Sequence, residues 1–221
     1  MRNPLRRHDP VPPDVLARAG LTRGERVLAR TTSVDGSWLL GTRDALVLVP
    51  ADPRVVEQSR VVEERARSRV VEERADPRVV EERAGERLET TPAAVVRIPW
   101  ERVETADWNR DEERLRVTEV ADFGHPRPVH ELALSEPGPL LAMIRERVTA
   151  SVLLQRRVPV QGRLGLTVLA RRPPRGTGEV VWAYDLDPGL DPEDPAVRAA
   201  AEGAVRAAQD ELGPGQQPMS R

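Results

Sequence analysis

The chain has 221 residues, a formal net charge of −2, 39% hydrophobic and only 3% aromatic residues, so its core must be built mainly from Val, Leu and Ala. It has no cysteine, and all 34 of its Lys-or-Arg residues are arginine, which excludes disulfides, thiolate chemistry, Schiff-base lysines and a phosphate-loop lysine. The near-neutral balance gives no global attraction to nucleic acid or to an anionic membrane, and no apolar run has transmembrane or signal-peptide length, so a cytoplasmic protein is expected.

Residues 1–21 read as a mobile N-terminal arm rich in Pro and Arg. Within it, 14–20 predict a short helical stretch with Asp14 as N-cap and Gly20 as terminator. A strand follows at 26–31, then a turn at Val34-Asp35-Gly36. A hairpin is expected from 37–40 and 44–49 around Gly41-Thr42-Arg43. The pattern breaks at 51–90, where the unit RVVEERA occurs at 60–66, 69–75 and 78–84 after a degraded copy at 54–59. Its Val-Val pairs recur every nine residues, about two and a half helical turns, so successive pairs fall on opposite sides of a helix. The stretch reads as a charged insertion in a loop, partly helical or disordered, with a partner-binding arm as the alternative.

Strands are then expected at 94–98, 101–108, 113–120 and 128–134, with a turn at Asn109-Arg110-Asp111. Ser135 is positioned to cap a helix starting near Pro137, whose apolar face is Leu140, Leu141, Ile144, Val148 and Val152. Residues 153–212 form a separate C-terminal ββα unit. Its strands are expected at 164–170 and 179–184. Its helix starts at Asp191-Pro192 or Asp194-Pro195 and runs to about Leu212, with a stripe of Val197, Ala201, Val205, Ala208 and Leu212. The tail 213–221 is expected to be disordered.

Over 22–152, seven strands followed by one amphipathic helix give the order of a pleckstrin-homology-like (PH-like) barrel. Gly41-Thr42-Arg43-Asp44-Ala45-Leu46-Val47-Leu48 resembles the threonine, basic turn, apolar strand segment of bacterial PH-like and GRAM-like domains, and Ile98-Pro99-Trp100-Glu101-Arg102-Val103 resembles their Ile-Pro-aromatic step. The stretches 145–165 and 187–202 resemble an uncharacterised family of actinobacterial proteins. The resemblance implies an α+β fold: a PH-like β-barrel capped by one helix, followed by the ββα extension. It carries no catalytic residue over. Lipid-binding PH domains place bases around the first hairpin loop. Here residues 31–36 hold Asp35 and no base, which argues against phosphoinositide binding.

Candidate sites are few. Arg156, Arg157, Arg171 and Arg172 form one basic patch if the strands at 157–161 and 164–170 pair, and that patch would suit a phosphate or an acidic partner. Trp100 and Trp108, at strand ends, are expected in the core, with a partner groove as the alternative. His8, His125 and His130 lack a third ligand of zinc spacing. The acidic run at 185–194 fails the calcium-loop register, because Leu190 and Ala196 fall where Gly and Glu are required. No serine has a nucleophile-elbow setting and no glycine-rich loop opens a helix. The expectation is a non-enzymatic protein-interaction or scaffolding module with a protein partner and no cofactor. The alternatives are a nucleic-acid contact through the arginine patch, or an enzyme using carboxylates and arginines.

Overall fold

The structure is a computed structural model that describes residues 10–52, 94–134 and 136–213. The repeat units, the Ser135 cap, the first nine residues and the tail beyond 213 lie outside the described residues.

Four strands form an antiparallel meander: β1 (Val27–Thr32), β2 (Trp38–Thr42), β3 (Ala45–Val49) and β4 (Val96–Pro99). In β3 the sequence ALVLV has no polar position, and all five side chains are buried. Such a run requires cover on both faces of the sheet. Leu46 and Leu48 enter the main core with Leu39, Ile98 and Trp100. Ala45, Val47 and Val49 point the other way, and Val15 and Ala19 cover them together with Leu40.

Those two covering residues belong to α1 (Pro13–Arg18) and its C-cap. The second half of the expected mobile arm is therefore packed, and Arg18 Nη1 donates to the Pro50 carbonyl at 2.7 Å. Asp14 is not the N-cap. Pro12 holds that position, and Asp14 sits in the first turn, 3.7 Å from Arg18. Gly20 does end the turn, with a left-handed φ of +59°.

A second antiparallel meander comprises β5 (Val103–Asn109), β6 (Arg114–Glu119) and β7 (Val129–Ala133). The two sheets do not pair into a closed barrel among the described residues. Pro99 brings no N–H to a ladder, and a 3₁₀ turn at Trp100–Arg102 redirects the chain out of the first sheet before β5 begins. At the opposite end a hydrogen bond from Val34 N–H to the Ala133 carbonyl, at 2.8 Å, links the β1–β2 turn to β7.

Helix α2 (Gly138–Ser151) lies against β1, β2, the 3₁₀ turn and β5, burying Leu140, Leu141 and Ile144. Gly41 permits this approach: a Cβ there would lie 2.8 Å from Leu140 Cδ1 and 2.9 Å from Met143 Sδ. The expected helical role of Val152 is not observed. The helix ends at Ser151, and Val152 opens a strand with φ −76° and ψ 121°.

That strand corrects the C-terminal unit from ββα to βββα. β8 (Val152–Gln161) pairs with β9 (Leu164–Arg171), which pairs with β10 (Val181–Leu186). Helix α3 (Pro195–Leu212) packs on β8 and β9. Asp194 is its N-cap and accepts from Ala196 N–H at 2.7 Å. Val197, Ala201, Ala204 and Ala208 are its buried positions, so Ala204 replaces Val205 and Leu212 at the centre of the expected stripe.

The two motifs that carried the PH-like resemblance meet in space. Leu46 pairs with Ile98, the Trp100 indole N–H donates to the Thr42 carbonyl at 3.1 Å, and Trp100 N–H donates to the Asp44 carbonyl at 3.3 Å. Thr42 Oγ1 donates in turn to Glu25, whose other partners are Arg97 at 2.9 Å and Thr22. Burial works against the charge on Glu25, but the bonds from Arg97, Thr42 and Thr22 outweigh it and hold its pKa at about 2.

Candidate functional site

The four candidate arginines do not form one patch. Strand pairing sets Arg157 opposite Thr167 and Arg171 opposite Val152, so five residue steps along β8 separate the two ends, roughly 16 Å at strand rise. Arg156 and Arg157 alternate to opposite faces. Arg156 pairs with Glu211 of α3. Arg157 grips Asp187 through a fork, Nη1–Oδ1 at 3.0 Å and Nη2–Oδ2 at 2.5 Å. That fork, with a further bond from Gly165 N–H, lowers the Asp187 pKa to about 2.

Arg171 is 4% exposed. Its guanidinium donates to the carbonyls of Val103 at 2.7 Å and Glu104 at 3.1 Å, and to Ser151 Oγ at 3.2 Å. Burial lowers its pKa, opposed by the Glu104 carboxylate. Arg171 is thus a staple between the C-terminal sheet and β5. Arg172 is half-buried, and its backbone N–H closes on the Ser151 carbonyl at 2.8 Å. Trp100 is fully buried, so it lines no partner groove.

Trp108 has a different position. It is half-buried and packs against the main core, and at the end of β5 it borders an open groove of about 570 Å³ at the β5–β6 end of the second sheet. This groove continues along the outward face of the sheet. In β5 the burial pattern alternates, with Thr105, Asp107 and Asn109 exposed. Asp107 pairs with Arg116, and Arg116 pairs with Glu131 across the three strands. The Arg116 Nε–Glu131 Oε1 distance is 4.0 Å. Around Trp108 the groove holds Arg110, Arg114 and Arg116 against Asp107, Glu112 and Glu131, three charges of each sign.

A second depression of about 590 Å³ shares Arg116 with the first and runs over Thr105 and Thr118 to Arg127. Arg127 ties the two halves of the molecule together. Its Nε lies 2.6 Å from Glu104 Oε2, and its Nη2 donates to the Tyr184 carbonyl at 2.8 Å and reaches Asp185 at 3.4 Å. Burial raises the Glu104 pKa, and Arg127 opposes that rise. His125 and Arg127 also line a crevice of about 270 Å³ between the β6–β7 loop and the stretch after β10, walled by Phe123 and Tyr184. Three connected depressions therefore form one track from Trp108 to the junction.

The remaining acids of 185–194 have local roles. Asp191 accepts from Glu193 N–H at 2.9 Å, Asp194 caps α3, and Glu193 pairs with Arg198. Among the described residues no group of three or more His, Asp or Glu is disposed to hold a metal ion, and no helix is long and apolar enough to cross a membrane.

Of the residues on the track, sequence reasoning singled out Trp108, weighed His125, Asp185 and Asp187 only as metal ligands, and missed Arg116, Glu131, Phe123, Arg127 and Tyr184. The available signal was the polar alternation Thr105-x-Asp107-x-Asn109 and Arg114-x-Arg116-x-Thr118, which marks a solvent-facing side. Which residues adjoin on that side depends on strand register.

No protein-family model, curated protein or solved structure matches this chain.

Proposed function

We propose that the protein is a cytoplasmic, non-enzymatic protein-interaction module on a PH-like framework, of the actinobacterial kind resembled by 145–165 and 187–202, and that it docks its partner along the outward face of the second sheet. The framework reading is supported by the order of four strands, three strands and a helix that packs on both sheets. The observation that carries the functional reading is the Trp108 groove with its equal numbers of arginines and carboxylates. A polyanion gains little from a face with no net positive charge. A protein segment can pair its own charges with both signs along the open face.

The test is a photo-crosslinking residue placed at Thr118 in the full chain, expressed in cells of the source organism, with Arg23 as the control position. The expected result is a discrete protein adduct from position 118, absent from position 23 and lost on adding Trp108→Ala with Arg116→Glu. A nuclease-sensitive adduct, an equal pattern from both positions, or an adduct that survives the double change overturns the reading.

A further inference from the structure

The crevice at the junction has a chemistry distinct from the rest of the track. Its volume of about 270 Å³ suits one side chain rather than a folded segment. Phe123 and Tyr184 wall it, their rings edge to face with centroids 5.2 Å apart, and Leu186 and Leu190 back them. The one guanidinium in its lining, Arg127, is already engaged by two carboxylates of the neighbouring depression, Glu104 and Asp185. Asp187 is already taken by Arg157. Asp122 lines the crevice without an arginine partner among the described residues. Its charge reaches the Tyr184 hydroxyl, whose pKa is raised first by burial and then by Asp122 and Glu202.

We propose that this crevice receives one arginine side chain of the partner protein, its guanidinium stacked on the Phe123–Tyr184 pair and hydrogen-bonded to Asp122. The inference rests on the module reading and supplies the anchor for the segment lying along the sheet. An anion would meet the Asp122 carboxylate and find the Arg127 guanidinium already engaged. A neutral apolar side chain would fill the walls but leave Asp122 without a counter-charge. A guanidinium meets both demands, because it is planar enough to stack on a ring and carries donors that match a carboxylate. Lysine supplies the charge without the plane.

The experiment uses the full ¹⁵N-labelled chain and two small probes, N-acetyl-arginine N-methylamide and its citrulline counterpart, which has nearly the same shape without the charge. The arginine probe is expected to shift the amide signals of Phe123, Gly124 and Tyr184 saturably. Loss of one charge-assisted contact predicts binding weaker by at least about fivefold for citrulline and for Asp122→Asn. Asp122 is exposed, so that variant should fold, and an unchanged dispersion of its other signals verifies this. Equal binding of the two probes, indifference to Asp122→Asn, shifts confined to other regions, or no saturable shift at all each overturn the proposal. A position-118 adduct without arginine binding refutes the anchor alone. Arginine binding without that adduct refutes the docking path along the sheet.

Discussion

The two meanders of the N-terminal half are built alike and finished differently. In the first sheet every residue of β3 is buried, and α1 covers the face turned away from the core. In the second sheet β5 alternates, and its outward residues Thr105, Asp107 and Asn109 are exposed. A sheet covered on both faces has no face left on which a partner could displace water. A sheet with one open face can hold a charge ladder in fixed register at little cost to folding, because those groups remain hydrated. The difference separates the part of the molecule that stabilises from the part that is available.

Adjacent residues of β2 test the double cover most severely. Leu39 belongs to the main core and Leu40 to the layer beneath α1, and both are fully buried. Leu39→Ala and Leu40→Ala should each cost about 2–5 kcal/mol in denaturant unfolding. If Leu40→Ala costs well under 1 kcal/mol while Leu39→Ala does not, α1 is a loose cover and the contrast fails.

Arg171→Met removes the donor from the buried Val103 carbonyl and the partly buried Glu104 carbonyl of β5 while keeping much of the side-chain volume. An unsatisfied buried group costs about 1–3 kcal/mol. The same unfolding measurement should show a loss of that size, with faster amide exchange where β9 meets β5. Replacing residues 53–93 by a short turn should leave unfolding cooperative and stability unchanged or raised by about 1–2 kcal/mol, because the strands they connect are already adjacent, with Leu48 paired to Val96. Loss of cooperativity would place the repeats in the core.

The acid response should come from two carboxylates, Glu25 beside the first sheet and Asp187 after β10. Glu25 is held at about 2, against 4.5 when free. The unfolded chain therefore binds its proton first. The stability Glu25 contributes is present above about 4.5 and is lost as pH falls from there towards 2. Urea midpoints measured from pH 6 to pH 2.5 should fall more steeply for the wild type than for Glu25→Gln. Identical slopes would show that the Arg97 and Thr42 bonds do not persist in solution.

The smallest effect is expected on the open face. Arg116→Ser breaks a long, exposed pair with Glu131 and should change stability by less than about 0.5 kcal/mol. A loss above 1 kcal/mol would make that ladder a structural feature and weaken its assignment to docking.

Much of the fold was legible because its signals are local. The turn at Asn109-Arg110-Asp111 is present, with Asn109 Oδ1 accepting from Asp111 N–H at 3.0 Å. The Asp194 cap and the left-handed Gly213 bound α3 as their residue types imply. The errors arose where local signals compete. A helix and a strand both tolerate Ser151-Val152-Leu153-Leu154, and pairing with β9 decided for the strand at Val152. The arm looked mobile because Pro and Arg dominate it, although Val15 and Ala19 occupy successive turns of a packed face. The candidate site was legible only at Trp108, since Arg171 reads identically in sequence whether it faces solvent or the carbonyls of β5.

By itself the sequence determined what each segment is able to become. Its periods of two and near four, its caps and its glycines set the strands and helices, and the absence of Cys and Lys restricted the chemistry. The tertiary structure decided which of the many charges remain available. Arginines distributed evenly along the chain are chemically equivalent until folding brings some to Asp187, Glu211 or buried carbonyls and leaves others on an open face. Hydrogen-bond and ion-pair energies depend on distances between residues far apart in the chain. Those distances are fixed by strand register and by the docking of one unit on another.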